Sequence, residues 1–86
     1  MRKFLIEEKL EIKLNKKDKV MYEATINKIQ EILTCTDVHH YKNLRSPMQE
    51  FKRVHIKGSF VLIFKYNPNE DAILFYDLDH HNKIYK

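Results

Sequence analysis

An apolar run in the second half of the chain, residues 60–64, most limits what the protein can fold into. The run reads Phe-Val-Leu-Ile-Phe without alternation, which is typical of a strand covered on both faces. Gly58, the only glycine in the chain, stands just before it, where a tight hairpin turn needs a residue that tolerates positive φ. We therefore predict that the run forms the central strand of a sheet, at about residues 60–66.

The segments on either side of this run are predicted to be its antiparallel partners. Residues 51–57 alternate between apolar and polar, which turns one row of side chains to the core and a row of nitrogen-bearing side chains away from it. Residues 72–78 are rich in β-forming residues and follow a turn at 67–70. The polar tail beyond them is expected to leave the sheet at its edge. The side chains predicted to be largely buried are Val54, Ile56, Leu62, Phe64, Ile73 and Phe75.

The first half of the chain is predicted to be mainly helical. A short strand is expected at residues 2–6. From residue 7 to 16 the apolar residues fit both strand alternation and a helical stripe, but the acidic start and the lysine-rich end favour a helix through its dipole. Asp18 is a suitable N-cap for a second helix, which lasts to about Thr34. We therefore predict a single α+β domain over residues 1–86, with two N-terminal helices packed on a small antiparallel sheet.

Residues 34–50 are predicted to be mostly loop, because they show no sustained period and contain Pro47. Loops of this length in compact domains are often functional. This one carries the basic and aromatic side chains His39, His40, Tyr41, Lys42 and Arg45.

Charge and cysteine content narrow the class of partner and the compartment. Sixteen lysines and arginines against twelve acidic residues give a net charge of +4, which favours polyanions, although a basic pI alone is common. The single cysteine excludes an internal disulfide and agrees with a reducing compartment. Without a long apolar run or a signal-peptide core, the sequence predicts no membrane association and a cytoplasmic location.

Five histidines suggest a metal site as one alternative. Adjacent residues on an extended chain point to opposite faces, so neither His39/His40 nor His80/His81 readily directs both rings at one ion. The chain also lacks the second cysteine of a common structural zinc site. We therefore expect no metal and no other cofactor.

A phosphodiester-cleaving site agrees better than a metal site with the histidines and basic residues of this chain. Cleavage of RNA without a metal needs a base, an acid and cations near the phosphate. His55 and His81 can titrate near neutral pH, and Arg53, Lys57 and Lys42 can supply positive charge. In the predicted sheet the two histidines are two strand spacings apart, roughly 10 Å. The alternative is that His55 is a solvent-facing strand position and His81 part of a frayed tail.

Four short motifs follow one another along the chain. They are Tyr-Lys-x-Leu at 41–44, Phe-Lys-Arg-Val-His-Ile at 51–56, Val-Leu-Ile-Phe-Lys-Tyr at 61–66 and Asp-His-His-x-x-Ile-Tyr at 79–85. Their order and spacing resemble the RelE/ParE toxin superfamily, most closely its YafQ-like branch. Its members are small basic toxins of toxin–antitoxin pairs, and RelE and YafQ cut mRNA in the ribosomal A site without a metal.

The resemblance implies a type II toxin that acts as a ribosome-dependent mRNA endoribonuclease through attack of the 2′-hydroxyl. Its expected partners are an antitoxin protein, the ribosome and mRNA. The alternative is a gyrase-inhibiting toxin of ParE type, or a non-catalytic binding module of the same fold.

The resemblance also implies a catalytic set, which consists of His55, His81, Arg53, Lys42 and Tyr85. Lys42 stands where YafQ-like toxins have a loop histidine, and Ser59 where they have a hairpin aspartate with a base role. The acid and base assignment therefore stays open, with His55 favoured as the base. The arginine of RelE on the central strand would fall at Val61, so this chain does not use that version of the site. The side chains predicted to contact RNA are Lys57, Ser59, Lys13, Lys16 and Lys83.

Overall fold

The computed structural model, which describes residues 1–84, has the predicted α+β architecture. In chain order the elements are β1 (Lys3–Ile6), α1 (Glu8–Asn15), α2 (Lys19–Thr34), β2 (Lys52–Ile56), β3 (Phe60–Asn67), β4 (Ala72–His80) and α3 (His81–Ile84). The long connection between α2 and β2 contains a short 3-10 turn, Val38–His40, and an antiparallel bridge between Asn43 and Lys52. The strands form one four-stranded sheet in the order β1-β4-β3-β2.

The sheet is mixed, because a parallel strand is added to the three strands that were predicted to be antiparallel. β2, β3 and β4 pair antiparallel as expected, and β1 pairs parallel with the first half of β4. The second half of β4 runs beside α1, which begins where the backbone N–H of Glu7 donates to the Phe75 carbonyl at 2.9 Å. β4 is therefore an interior strand. The expectation that the polar tail leaves the sheet at its edge was wrong, since β4 continues to His80 and the chain then turns into α3.

The hairpin between β2 and β3 has the backbone that the sequence predicted. Gly58 has a φ of +78°, and Lys57 before it also lies in the left-handed region at +56°. Glycine adopts such a φ at little cost, whereas lysine does so less readily. The turn thus fixes the register in which Ile56 faces Phe60.

Both N-terminal helices follow the predicted spacing. Leu10 and Leu14 are buried while Ile12 is 47% exposed, so helical spacing rather than alternation governs α1. The Asp18 side chain caps α2 by accepting a hydrogen bond from the backbone N–H of Met21 at 2.8 Å. Tyr22, on the same helix, is 40% exposed.

The sheet carries a hydrophobic cluster on each face. The helix-side cluster joins α1 and α2 to the sheet and includes the buried residues Leu10, Leu14, Met21, Ile29, Ile32, Leu33, Ile56, Leu62, Phe64, Ile73, Phe75 and Leu78. The second-face cluster consists of Leu44, Val61 and Ile63, with Met48, Phe51, Tyr76 and Ile84 packed against it. Residues of the long loop and of α3 therefore cover part of the opposite face.

Five of the six side chains predicted to be buried are buried. The exception is Val54, which is only half-buried although Ile56 on the same strand is buried. Within the part of the chain that the structure describes, no helix has the length and apolar character needed to cross a membrane.

Candidate active site

A cleft of about 530 Å³ opens between the long loop, β2 and α3. It is lined by Asn43, Leu44, Arg45, Ser46, Pro47, Met48, Arg53, His55, His81 and Ile84. These lining residues include two arginines and two histidines but no acidic side chain. The cleft therefore favours an anionic ligand.

Two histidines from different elements meet in this cleft. His55 lies on β2 and His81 is the first residue of α3, and their ring centroids are 5.5 Å apart with the planes inclined by 31°. The backbone N–H of His81 donates to the carbonyl of Ser59 in the hairpin at 2.7 Å. This hydrogen bond brings the chain back over the end of the sheet. The two rings consequently lie at about half of the separation that a flat three-stranded meander predicts.

An apolar contact holds α3 in this position. Ile84, the last residue of α3, packs on the second-face cluster around Val61 and Ile63. Because Ile84 and His81 lie three residues apart, they share one side of this short helix. The contact of Ile84 with the sheet thus directs His81 toward the cleft.

A buried lysine attaches the long loop to β2. The Lys52 amine donates to the carbonyl of Tyr41 at 3.0 Å and to the Oδ1 of Asn43 at 2.9 Å. Burial lowers the pKa of Lys52, against an opposing effect of Asp37. Backbone hydrogen bonds from Arg53 to Lys42 and from Leu44 to Phe51 continue this pairing. Residues 42–44 therefore run along β2. This pairing places the next residue, Arg45, at the cleft.

The structure brings three of the predicted catalytic residues together, namely Arg53, His55 and His81. Lys42 is exposed and is not among the residues that line the cleft; its carbonyl meets β2. The predicted aromatic residue, Tyr85, lies outside the described residues.

None of the residues predicted to contact RNA is among those that line the cleft. Lys16, Lys57 and Ser59 are exposed, and Ser59 contributes the carbonyl that fixes His81. The Lys13 amine lies 2.8 Å from Asp77 and 3.2 Å from Asp79, so it forms ion pairs with two carboxylates.

Lys83, the remaining lysine of this set, lies 3.9 Å from Asp79 with its side chain 70% exposed. Its amine is therefore accessible from solvent.

Arg45 is a charged cleft residue that was not predicted to belong to the site. The available signal was its place in a long basic loop, but the spacing alone does not show which side chain of that loop reaches β2. The apolar lining by Leu44 and Met48 was not predicted either, because the loop has no period that marks its buried positions.

The histidines outside the cleft have other neighbours. His80 packs edge-on against Phe60, with 5.6 Å between ring centroids, whereas His81 beside it packs on His55. His39 packs edge-on against Tyr66 at 5.5 Å. Among residues 1–84, no three or more His, Cys, Asp or Glu side chains are arranged so that they could hold a metal ion.

Two paired imidazoles in a cleft that two arginines also line form a set suited to phosphodiester chemistry. Imidazoles can accept and donate protons near neutral pH. Guanidinium groups donate paired hydrogen bonds to phosphate oxygens and offset the charge that develops on them.

A relative described as "Putative toxin RelE4", from Methanocaldococcus jannaschii, is 50% identical to this chain over 74 residues, which are 86% of this chain and 77% of the relative. An uncharacterised protein of Methanosarcina mazei is 45% identical over 73 residues, covering 85% and 83% of the two chains. No protein-family model matches the sequence. On the first of these likenesses, the chain belongs to the RelE toxin family.

Solved structures of toxins share the fold. The isolated E. coli RelE toxin superposes with a TM-score of 0.74 at 12% identity, over 93% of this chain and 84% of that one. A chain of the RelBE2 toxin-antitoxin complex from Mycobacterium tuberculosis gives 0.77 at 14% identity, over 93% and 98%. YafQ from E. coli gives 0.65 at 16% identity over the whole of both chains. The RelE-type fold is thus confirmed, while membership of the YafQ-like branch stays a prediction.

Proposed function

We propose that this RelE-family toxin is a ribosome-dependent mRNA endoribonuclease that cleaves by attack of the 2′-hydroxyl. The observation that carries the proposal is the pairing of His55 and His81 at 5.5 Å in a cleft that Arg45 and Arg53 also line. The absence of acidic residues from that lining supports an anionic substrate.

In the proposed reaction one histidine removes the proton from the 2′-hydroxyl, whose oxygen then attacks the adjacent phosphorus. The bond from phosphorus to the 5′-oxygen breaks, and the other histidine gives that oxygen a proton. The products are a 2′,3′-cyclic phosphate and a free 5′-hydroxyl. We assign the base to His55 and the acid to His81, since Ser59 replaces the hairpin aspartate that could otherwise act as a base.

The arginines act on the charge of the phosphate. Arg53 and Arg45 offset the negative charge that builds up on the phosphate oxygens during attack. Lys42 adds positive charge beside the cleft, and Tyr85 stacks on a base or positions the backbone.

The ribosome supplies what this small site lacks. The cleft offers few groups for recognising a nucleotide, so free RNA seldom adopts the in-line geometry that attack requires. A ribosome that holds the A-site codon in that geometry would remove most of this entropic cost. The exposed Lys16, Lys57 and Lys83 are the proposed contacts with ribosomal or messenger RNA.

An antitoxin protein is the proposed regulatory partner. The RelBE2 structure from M. tuberculosis is a toxin-antitoxin complex, and a chain of it shares this fold. We propose that a segment of the antitoxin orders on the basic cleft and stabilises the toxin by mass action. Co-expression of the product of the neighbouring gene should give a co-purifying complex and restore growth. If that product neither co-purifies nor restores growth, this partner assignment fails.

The proposal is tested by inducing the protein in cells and mapping the 5′ ends of mRNA. The wild type should produce new ends within translated regions, and His81→Ala should not. His80→Ala is the matched control, because the neighbouring His80 packs on Phe60 away from the cleft and its loss should leave cleavage intact. Growth arrest by the wild type without new mRNA ends would favour the gyrase-inhibiting or binding-module alternative.

A further inference from the structure

We infer that Lys13 is an electrostatic positioning residue for the cleft, because it neutralises two carboxylates that β4 presents on the same sheet face as His55 and Arg53. The inference rests on the proposed function, since it concerns how an RNA phosphate is accepted in that cleft. It also gives Lys13 a role other than direct contact with RNA.

The register of the sheet places Asp79 in line with His55. Val61 on β3 pairs with His55 on one side and with Asp79 on the other. Residues paired across neighbouring strands project to the same face of a sheet. Asp79 therefore lies on the face of the cleft, two strand spacings from His55, which is about 10 Å.

The next row of the sheet repeats this arrangement. Ile63 on β3 pairs with Arg53 on one side and with Asp77 on the other, next to a register shift at which Tyr76 is the extra residue of β4. Like Val61, Ile63 belongs to the second-face cluster, which also includes cleft-lining residues. Two cleft residues on β2 thus each have a carboxylate two strands away on β4.

Lys13 neutralises both carboxylates from the edge of the sheet. Its amine lies 2.8 Å from the Oδ1 of Asp77 and 3.2 Å from the Oδ2 of Asp79. The side chains of Asp77 and Asp79 are only 17% and 27% exposed, so solvent screens them incompletely. Lys83 also approaches Asp79, at 3.9 Å, but its side chain is 70% exposed and its contribution is correspondingly weaker.

Lys13 and Asp79 are both charged in this arrangement. Burial by itself would lower the pKa of Lys13, but the hydrogen bonds to Asp77 and Asp79 raise it above its ordinary value. Burial would raise the pKa of Asp79, but the backbone N–H of His80 and the Lys13 amine hold it below its ordinary value. Removal of the lysine charge would therefore leave uncompensated negative charge on the face where the phosphate binds.

The expected size of the effect follows from the distance. Two negative charges about 10 Å from a phosphate, at an effective dielectric constant between that of a protein surface and that of water, disfavour its binding by on the order of tenfold. Because this distance is about one Debye length at 0.1 M ionic strength, added salt should reduce the effect.

The test compares variants that separate the charge of Lys13 from its packing. Lys13→Met retains an unbranched apolar side chain without the charge, and Lys13→Arg retains the charge. The triple variant Lys13→Met, Asp77→Asn, Asp79→Asn removes the lysine together with both carboxylates. The matched control is Lys19→Met, which removes one exposed lysine at the start of α2.

The first measurement is binding of a 2′-O-methyl RNA tetranucleotide, a probe that cannot be cleaved, followed by the NMR shifts of the His55 and His81 rings. The second is single-turnover cleavage on programmed ribosomes, and both are done at low and high salt. Lys13→Met should weaken binding and slow cleavage on the order of tenfold at low salt, and less at high salt. Lys13→Arg, Lys19→Met and the triple variant should behave like the wild type.

Two outcomes would overturn the inference. If the triple variant is as impaired as Lys13→Met, the ion pairs matter only for the structure. If Lys13→Met binds the probe as tightly as the wild type at low salt, the carboxylates do not affect the cleft. Should the wild type bind the probe but cut no mRNA, the proposed function fails, and the order of affinities among the variants still decides the role of Lys13.

Discussion

At the scale of single residues, the site depends on how two neighbouring histidines are separated. His80 ends β4 and packs against Phe60, while His81 begins α3 and packs on His55. Adjacent residues of an extended chain point to opposite faces, so the two rings diverge where β4 ends and α3 begins. The hydrogen bond that the backbone N–H of His81 donates to the Ser59 carbonyl then fixes the position of His81.

This difference gives a prediction for two adjacent alanine substitutions. His81→Ala should slow single-turnover cleavage by about 10²- to 10⁴-fold, the usual range for a lost general acid or base. His80→Ala should have little effect on the rate. Ribosome association, measured by co-sedimentation, should be unchanged in both. Equal losses of rate in the two variants would mean that the substitution disturbs α3 rather than the chemistry.

At the scale of elements, one tyrosine connects the long loop to α2. The Tyr41 hydroxyl donates to the Glu31 carboxylate at 2.7 Å, and its ring packs edge-on against Phe64. Burial, followed by the hydrogen bond to Glu31, raises the pKa of Tyr41. The same hydrogen bond, together with that from Lys28, lowers the pKa of Glu31. The loop that carries Arg45 is thus held by a contact that needs a neutral phenol and an ionised carboxylate.

Because of the Tyr41–Glu31 pair, we expect the free energy of unfolding to fall at both ends of the pH range. Glu31 has a lowered pKa in the folded protein, so its contribution is present above the unfolded carboxyl pKa and is lost as the pH falls through the folded value. Tyr41 has a raised pKa, so its contribution is lost as the pH rises above the unfolded phenol value of about 10. Tyr41→Phe should reduce the loss of stability at both acid and alkaline pH. Urea midpoints at acid, neutral and alkaline pH measure this. An unchanged pH profile in that variant would contradict this assignment.

The elements also show which parts of the fold the sequence can predict. The β2–β3–β4 meander was predictable because alternation, an uninterrupted apolar run and Gly58 are local signals. The parallel pairing of β1 with β4 was not, since about seventy residues separate partners such as Lys3 and Ala72 and nothing local specifies it. The same holds for the return of α3 over the sheet, which depends on contacts of Ile84 and Ser59.

The candidate site was predictable in part for the same reason. Arg53 and His55 share the outward face of an alternating strand, which the sequence shows directly. Arg45 reaches the cleft only because Lys52 attaches the preceding loop residues to β2, and a buried lysine of this kind leaves no periodic signal.

At the scale of the whole molecule, the distribution of charge matters more than the net charge of +4. Several acidic side chains are engaged by cations away from the cleft, as in the pairs of Asp71 with Arg2 and of Glu31 with Lys28. The residues that line the cleft are basic or neutral. The cleft lining therefore contributes positive charge at the site proposed to face RNA.

This distribution predicts that binding and chemistry can be separated by mutation. Lys16→Ala, at an exposed position just after α1, should weaken ribosome association and reduce its salt dependence, because one cationic contact with RNA is lost. The chemical step on saturated ribosomes should be nearly unchanged. Sedimentation at a series of salt concentrations measures the first effect, and single-turnover kinetics the second. A loss in the chemical step alone would contradict the assignment of Lys16 to RNA contact.

The most direct test of the account is cleavage of a defined mRNA on ribosomes with an empty A site, using purified protein and a chelator. We expect a single-turnover cut in the A-site codon, a 2′,3′-cyclic phosphate at the new 3′ end, and little cleavage of the same mRNA free in solution. His55→Ala and His81→Ala should each slow this cut by about two orders of magnitude or more. Cleavage at the wild-type rate by both variants, or no cleavage by the wild type, would contradict the catalytic role assigned to the cleft.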